Sequence, residues 1–292
     1  MSEKRRLYFT KMHGIGNDYV YVDALGSPTS LSDKDIDFPD LSRKISNRHF
    51  GVGSDGLIAI LPSSSADFRM RMFNADGSEA QMCGNGSRCV AKYLYDKGYT
   101  DKTSISLETK AGIKVLHLHI GEDGEVSEVT VDMGVAVFEA SEVPFSHKGT
   151  ERMISCPVDV DGEVFHVTAV GMGNPHGVVF VDRINDRHVH HYGRILETHA
   201  IWPERANIEF AEITDRRHIK MRVWERGSGE TLACGTGACA TLVAAYVNGE
   251  ADNEAELELL GGSLHINYCP ESGHVYMRGG AEFIAEGWYY YD

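Results

Sequence analysis

Short runs of alternating hydrophobic and polar residues recur along most of the chain. In the N-terminal half they are RLYFTKM, YVYVD, LIAIL, FRMRMF, SISLET, KVLHLHI and EVTVDMG. In the C-terminal half they are VFHVTAV, GVVFVD, NIEFAEI, IKMRVWE, LEL, SLHINY and HVYMRG. A hydrophobic period of two is typical of strands that bury one face. The pattern therefore predicts that strands dominate both halves.

Two longer segments lack this alternation, and each predicts a helix. One extends from about Gly84 to Lys97 and the other from about Gly235 to Asn248, and a glycine suited to a helix C-cap follows each. The second segment is apolar nearly all round, which predicts that it is buried. A buried helix surrounded by strands indicates an α+β fold, and the two segments indicate that it occurs twice.

The two predicted helices belong to an internal repeat. FNADGSEAQMCGNGSRCVAKYLYDKG at 73–98 aligns without a gap with WERGSGETLACGTGACATLVAAYVNG at 224–249. A second match lies upstream of each segment, where GIGND at 14–18 corresponds to GMGNP at 171–175. Because both matches occur in the same order, they indicate a duplication, and we predict two similar domains.

The composition is that of an ordinary globular protein. The chain has 292 residues, of which 42% are hydrophobic and 24% charged, and this length suits two domains. A formal charge of -15 argues against a nucleic-acid partner, which would require clustered Lys and Arg. The longest apolar runs are shorter than a membrane span, and no signal peptide is visible. We therefore expect a cytoplasmic protein with neither a nucleic-acid nor a membrane partner.

Histidine and cysteine do not form a recognisable metal site. No C-x-x-C pair occurs among the six cysteines, so the usual zinc motifs are missing. The HVHH segment at 188–191 and the pair His117 and His119 lack a companion at ligand spacing, which favours solvated histidines. In a reducing compartment the cysteines are expected to be thiols. The sequence therefore predicts no metal and no disulfide bond.

Two cysteines occupy a chemically distinct position. Cys89 and Cys239 lie inside apolar helical segments and are expected to be buried, whereas Cys83 and Cys234 immediately precede the helices, in MCGNG and ACGTG. The N–H groups and the dipole at a helix N-terminus favour an anion and lower the pKa of a thiol. The glycines let a substrate approach the backbone amides. A mirrored pair of such thiols suits a reaction in which a proton leaves one face of a carbon and returns to the other.

Five segments together resemble the signature segments of the diaminopimelate epimerase family. They are FTKMHGIGNDY, FNADGSEAQMCGNGSRC, GMGNPHGVVFVD, ANIEF and ERGSGETLACGTGACA, in the family's order and over nearly the whole chain. The resemblance implies an epimerase that interconverts LL- and meso-diaminopimelate without pyridoxal phosphate or any other cofactor, in the pathway to lysine and peptidoglycan. It also implies that Cys83 and Cys234 are the acid–base thiols.

The same resemblance implies the domain organisation. Two pseudo-symmetric domains are expected, each with a β-barrel-like sheet wrapped around a central helix. The first should comprise residues 1–133, with 281–292 returning to it, and the second residues 134–280. The expected partner is the small-molecule substrate, and a homodimer is left open.

Carried over by position, the resemblance implies ten substrate contacts: Asn17, Asn74, Gly84, Asn85, Asn174, Asn207, Glu225, Arg226, Gly235 and Thr236. Asparagine offers donors and acceptors, as a substrate with two ammonium and two carboxylate groups requires. Arg226 can hold a carboxylate by two parallel bonds, and Glu225 can receive an ammonium group. His176 is expected to support proton chemistry beside the thiols.

Other interpretations of these residues stay open. Asn17 and Asn174 also suit turns, and Glu225 with Arg226 also suits a surface ion pair. In addition, many family members have Gln after the Asp of GVGSDG, where this chain has Gly56, and that leaves one substrate contact undecided.

Two other functions also stay open. A proline or hydroxyproline racemase of the same architecture would use two thiols, but a cyclic imino acid has no second amino-carboxyl end for Asn74, Asn207 and Arg226 to bind. A non-catalytic amino-acid-binding or thiol redox-sensing protein would use the cysteine loops as anion sites or oxidation switches.

Overall fold

The structure is a computed structural model that describes residues 5–26, 36–146 and 150–291. The chain divides into two compact units. Unit 1 comprises Met1–Val131 with Gly279–Asp292, and unit 2 comprises Asp132–Arg278. The domain limits expected from the sequence stay a prediction, because a compact unit is defined by its internal contacts and a domain by independent folding.

Strands account for most of the regular structure, as the alternation predicted. In chain order they are β1 (Arg5–Gly14), β2 (Asn17–Asp23), β3 (Gly56–Leu61), β4 (Phe68–Asn74), β5 (Glu79–Ala80), β6 (Ser104–Thr109), β7 (Gly112–Ile120), β8 (Val126–Val135), β9 (Cys156–Val160), β10 (Glu163–Gly171), β11 (Pro175–Phe180), β12 (Asn207–Asp215), β13 (His218–Glu225), β14 (Gly229–Glu230), β15 (Glu254–Leu259), β16 (Gly262–Tyr268), β17 (His274–Gly279) and β18 (Glu282–Tyr291).

The helices are α1 (Phe38–Ile45), α2 (Gly84–Asp96), α3 (Arg194–Glu197) and α4 (Gly235–Val247), and a π-helical segment, Arg187–Gly193, leads directly into α3. Both helices predicted from the repeat are confirmed as α2 and α4. The glycine that follows each of them, Gly98 or Gly249, has a positive φ, as a C-terminal glycine cap requires. Among the described helices none is long and apolar enough to cross a membrane.

The strands of unit 1 form one mixed sheet. β18 pairs antiparallel with β1, and β1 with β2. β2 then runs parallel to β3, β3 pairs antiparallel with β4, and β4 runs parallel to β6. β7 and β8 follow antiparallel to their neighbours, while the short β5 forms a hairpin with β4.

Unit 2 repeats this arrangement strand for strand. β9 pairs antiparallel with β10 and β10 with β11, after which β11 runs parallel to β12. β12 pairs antiparallel with β13, β13 runs parallel to β15, and β14 forms a hairpin with β13. β16 and β17 complete the sheet antiparallel. The shared order and sense of pairing are what a duplication predicts, and they confirm the α+β class.

Each sheet surrounds the long helix of its own unit. α2 contacts β1, β2 and β7, and α4 contacts β10 to β13, β15 and β16. All residues of Gly84–Leu94 and of Gly237–Ala245 are buried, so neither helix presents a solvated face along these segments. Small side chains in α4 allow the strands to approach on every side.

The sequence pattern did not predict the connections between the first parallel strands of each unit. α1 connects β2 to β3, and the π-helical segment with α3 connects β11 to β12. A parallel pairing needs such a crossover. The Asp37 carboxylate caps α1 by accepting the N–H of Asp40 at 3.0 Å, and Phe38 and Leu41 are buried. The HVHH histidines lie in the π-helical segment, where His190 binds Glu230 at 2.6 Å.

Replacing Leu242 with alanine tests whether α4 carries the core of unit 2. Leu242 is completely buried in the middle of α4, so the change should lower the free energy of unfolding by about 2–5 kcal/mol. Urea unfolding followed by circular dichroism measures the loss. Leu260→Ala is the matched control, because Leu260 is 53% exposed and its loss should change stability by about 0.5 kcal/mol or less. Equal losses in the two variants would contradict a core role for α4.

Candidate active site

Each repeat cysteine lies at the N-terminus of the central helix of its unit. Cys83 is the N-cap of α2 and Cys234 the N-cap of α4, both with extended backbone. The Cys83 sulfur accepts the N–H of Gly86 at 3.4 Å. The predicted placement of both thiols at helix N-termini is therefore confirmed.

A matched ion pair supports the hairpin that precedes each cysteine. In unit 1 the Arg71 Nε atom lies 2.8 Å from Oε1 of Glu79, and in unit 2 the Arg222 Nε atom lies 2.7 Å from Oε1 of Glu230. The two glutamates, which correspond in the repeat, stand on β5 and β14. Each ion pair links the short strand to the longer strand beside it. The position of the short strand, from which the cysteine loop begins, is thereby fixed.

In unit 1 the thiol of Cys83 contacts an amide side chain. The Cys83 sulfur lies 3.2 Å from Oδ1 of Asn17, which also accepts Nδ2 of Asn85 at 3.4 Å. Asn17 in turn donates to Asp55 at 2.8 Å. The structure thus brings together three of the residues that the resemblance implies, and adds Asp55.

Two other predicted residues of unit 1 have different surroundings. Asn74 ends β4 and donates to the Ser78 hydroxyl at 3.0 Å, so it belongs to the turn of the β4–β5 hairpin. Gly84 is the first, buried residue of α2. A Cβ atom at Gly56 would lie 2.1 Å from the Phe73 carbonyl oxygen, so a larger residue there would require β3 and β4 to shift apart.

In unit 2 the predicted His176 and Asn174 belong to a buried polar chain. His176 Nδ1 lies 2.7 Å from Oε1 of Glu209, and its Nε2 lies 2.9 Å from Oδ1 of Asn174. The side chains of His176 and Glu209 are both completely buried. Asn207 lies beside this chain: it donates to the Pro175 carbonyl at 3.2 Å and accepts the Arg226 backbone N–H at 2.9 Å.

Glu209 was not singled out from the sequence. It stands on β12 within Asn207–Ala211, all of which is buried. Its Oε2 atom has no hydrogen-bond partner in the described part of the chain, and a Cβ atom at Gly237 would lie 2.6 Å from its Oε1. The carboxylate therefore packs against the first turn of α4. The sequence did contain a signal for Glu209, because a glutamate flanked by Ile208 and Phe210 in a predicted strand is unusual for a buried position.

The expected lowering of the thiol pKa is wrong for Cys234. Burial raises the pKa of Cys234 well above its ordinary value, and the charges of Glu225 and Glu209 raise it further. The Thr236 hydroxyl, 3.6 Å from the sulfur, and the Gly237 N–H oppose these effects but are weaker. Desolvation and two carboxylates outweigh the helix N-terminus, so Cys234 is held as a thiol.

Glu225 and Arg226 have separate partners. Glu225 ends β13 and accepts the Thr231 hydroxyl, and burial raises the pKa of its carboxyl. The exposed Arg226 guanidinium donates to the Glu204 carbonyl at 3.1 Å. The structure therefore does not pair these two residues with each other. Gly235 and Thr236 form the start of α4, directly after Cys234.

Known proteins resemble this chain along almost its whole length. The profile of the family described as diaminopimelate epimerase matches residues 9–139 and 168–284. A diaminopimelate epimerase of Desulfovibrio desulfuricans is 52% identical over 290 residues, which cover 97% of this chain and 98% of that protein. One from Methanococcus maripaludis is 48% identical over 280 residues, which cover 96% of this chain and 98% of the relative.

Solved structures share the fold at much lower identity. The Bacillus anthracis phenazine biosynthesis protein of the PhzF family has a TM-score of 0.68 at 20% identity, covering 98% of this chain and 99% of its own. A hydroxyproline epimerase from Agrobacterium vitis, with bound trans-4-hydroxy-L-proline, also has a TM-score of 0.68, at 14% identity and with coverages of 99% and 94%. At such identities the likeness shows the fold alone.

Replacing Glu225 with glutamine should lower the pKa of Cys234, because one of the charges that disfavour its thiolate is removed. More thiolate is then present at any given alkaline pH, so iodoacetamide should alkylate Cys234 faster, as peptide mapping by mass spectrometry measures. Glu258→Gln, an exposed change on β15, is the matched control and should leave the rate unchanged. A rate that stays the same in Glu225→Gln would contradict the electrostatic role of Glu225.

Proposed function

The chain belongs to the diaminopimelate epimerase family, and from this we propose that it interconverts LL- and meso-diaminopimelate. One thiolate removes the proton from one face of Cα, and the other thiol gives a proton to the opposite face. The proposal is supported by relatives named diaminopimelate epimerase, which are 52% and 48% identical to this chain over nearly its full length. We also place the reaction in the cytoplasm, in the supply of lysine and peptidoglycan precursors.

The single observation that carries the mechanism is the matched placement of Cys83 and Cys234 at the N-termini of equivalent buried helices. The raised pKa of Cys234 keeps this thiol protonated, so Cys234 is suited to the role of proton donor. Cys83 then acts as the base. Cys83 gains the Cα proton as its S–H, and Cys234 becomes a thiolate on donating its own. The reverse reaction exchanges these roles.

The remaining proposed residues bind the substrate. The backbone N–H groups at Gly84, Asn85, Gly235 and Thr236 are placed at helix N-termini, where a carboxylate is favoured. Asn17, Asn74, Asn174 and Asn207 supply amide donors and acceptors. Glu225 receives an ammonium group, and Arg226 holds the carboxylate at the far end. His176 supports the proton transfer through its contact with Asn174.

The scheme uses the chain's own thiols for both proton transfers and requires no cofactor. Its partner is the small-molecule substrate, without nucleic acid or membrane. A homodimer is compatible with this proposal but is not needed by it.

Incubation of LL-diaminopimelate in deuterated water tests the function and its two-thiol mechanism together. The inverted carbon should acquire deuterium, because the donor thiol exchanges its proton with solvent before each turnover. Cys83→Ala and Cys234→Ala should each lower epimerisation by at least the roughly 10²–10⁴-fold typical of general acid–base catalysis. Nuclear magnetic resonance of the product measures both exchange and inversion.

Cys156→Ala is the control for this test, since Cys156 is a free thiol on β9 and belongs to neither of the two cysteine–glycine loops. It should keep full activity. Full activity in Cys83→Ala would refute the two-thiol mechanism, and no inversion by the unmodified protein would refute the epimerase function.

Replacing Arg226 with methionine tests recognition of the far end of the substrate. Loss of one partner of a charge pair that is buried in a complex costs about 2–5 kcal/mol, so kcat/KM should fall by roughly 30- to 5,000-fold. Arg226→Lys should recover only part of this, because lysine cannot form two parallel bonds. Arg217→Met, which removes a surface ion pair with Asp252, is the control and should change little. Normal kcat/KM in Arg226→Met would place recognition elsewhere.

A further inference from the structure

The partners of the Asn17 side chain determine which end of its amide faces Cys83. Nδ2 of Asn17 lies 2.8 Å from Oδ2 of Asp55, and an ionised carboxylate can only accept a hydrogen bond. The amino end must therefore point to Asp55. This leaves the carbonyl oxygen 3.2 Å from the Cys83 sulfur, and the donation from Asn85 at 3.4 Å agrees with that orientation.

Asp55 is itself fixed by the strand that carries Asn17. Its backbone N–H donates to the Asp18 carbonyl at 2.8 Å, and its Oδ2 accepts the Asp18 N–H at 3.1 Å. Its other oxygen accepts the Arg48 guanidinium at 2.9 Å. Arg48 also binds the Asp18 carboxylate, to which Lys11 is paired at 2.9 Å. Both backbone contacts and ion pairs therefore hold the carboxylate in place.

We propose that Asp55 is a positioning residue for the proposed epimerisation, because it holds the Asn17 amide with its carbonyl oxygen toward Cys83. In this orientation the carbonyl accepts the S–H of the thiol and so stabilises the state that Cys83 reaches after it has taken a proton. A flipped amide would offer its amino group to the thiolate instead and make that thiolate a weaker base. The inference deepens the proposed function and rests on it.

Unit 2 also links an asparagine to a carboxylate, but there the carbonyl oxygen of the amide, and not its amino group, faces the supporting residue. Asn174 corresponds to Asn17 in the repeat, and it too is linked to a carboxylate, here Glu209 through His176. Each carboxylate reaches its asparagine across the parallel pairing that joins β2 to β3 or β11 to β12. The duplicated fold thus provides a carboxylate support for an asparagine in both units.

Three variants separate amide orientation from charge and from structural support. Asp55→Ala removes the acceptor, and Asp55→Asn keeps an oxygen that accepts from Asn17 and from the Asp18 N–H. Arg48→Met removes the ion pair but keeps the hydrogen bonds of Asp55 with Asn17 and with the Asp18 backbone. The dependence on pH of the alkylation rate of Cys83 by iodoacetamide is measured by peptide mapping, without substrate. The kcat and KM for diaminopimelate are measured in parallel.

The other titratable groups near Cys83 stay unchanged in all three variants. Tyr21 on β2 and Cys89 on α2 interact electrostatically with Cys83, and Arg88 and Glu282 interact with Cys89 in turn. Differences between the variants therefore report on Asp55, Arg48 and the Asn17 amide.

We expect Asp55→Ala to shift the alkylation profile of Cys83 to lower pH. It should also lower kcat by about 10- to 100-fold, the effect of losing one hydrogen bond to a charged group, with a smaller change in KM. Asp55→Asn should recover most of both properties, and Arg48→Met should keep the profile of the unmodified protein. Circular dichroism and the urea midpoint identify any variant that fails to fold, in which case Asp55→Asn and Arg48→Met still provide the comparison.

The same measurements can overturn the proposal. If Asp55→Asn shifts the profile as far as Asp55→Ala, the charge of Asp55 acts and not the amide orientation. If Arg48→Met produces the shift, the ion-pair network is responsible. An unshifted profile in Asp55→Ala removes the role of Asp55 altogether. Failure of the unmodified protein to epimerise diaminopimelate would refute the proposed function, whereas the alkylation profile would still test the orientation of the Asn17 amide independently.

Discussion

Close packing of strands around the first turn of a helix is the constraint on which the surroundings of both cysteines depend. A Cβ atom at Gly86 would lie 2.6 Å from the Ile58 side chain, and one at Gly237 would lie 2.6 Å from the Glu209 carboxylate. A side chain at either position would therefore force the buried Ile58 or Glu209 side chain to move. These two glycines are therefore constrained by close packing against the strands of their own unit. The same contact brings each thiol to the strand ends that carry the polar residues.

The two units use this shared architecture to create different chemical environments. The sulfur in unit 1 meets the neutral amide of Asn17, whereas Cys234 is buried near Glu225 and Glu209, which raise its pKa. Epimerisation by two thiols needs one of them protonated and the other ionised at the start of turnover. When their surroundings make the pKa values of two titratable groups different, one group can act as the acid and the other as the base. Duplication supplied equivalent positions, and side chains from neighbouring strands make them unequal.

The local pattern of hydrophobic and polar residues predicted much of the fold, because both the strand alternation and the gap-free repeat involve residues that are close together in the sequence. It missed α1, whose eight residues are too few for a clear helical period, and β9, the short first strand of the second sheet. The placement of the cysteines at helix N-termini was predictable for the same local reason. The pKa of Cys234 was not, since burial and the positions of two carboxylates depend on tertiary packing. Asp55 was likewise missed, because its role appears only when β3 lies beside β2.

The parallel pairing of β2 with β3 and of β11 with β12 explains why the connections that the sequence pattern missed affect the surroundings of the asparagines. An antiparallel hairpin would join Asn17 to its neighbouring strand through a short turn, but a parallel partner must return through a connection long enough to hold a helix. α1 fills that connection in unit 1, and the segment from Arg187 to Glu197 fills it in unit 2. Each crossover leads to a carboxylate in the next strand or directly before it: Asp55 contacts Asn17 directly, whereas Glu209 is linked to Asn174 through His176. Asp55 lies directly before β3 and is anchored to Asp18 of β2 by backbone hydrogen bonds, and a side chain anchored in this way holds an amide in one orientation with greater accuracy than a free loop would. Through these crossovers the fold of each unit determines which polar side chains lie beside its asparagine.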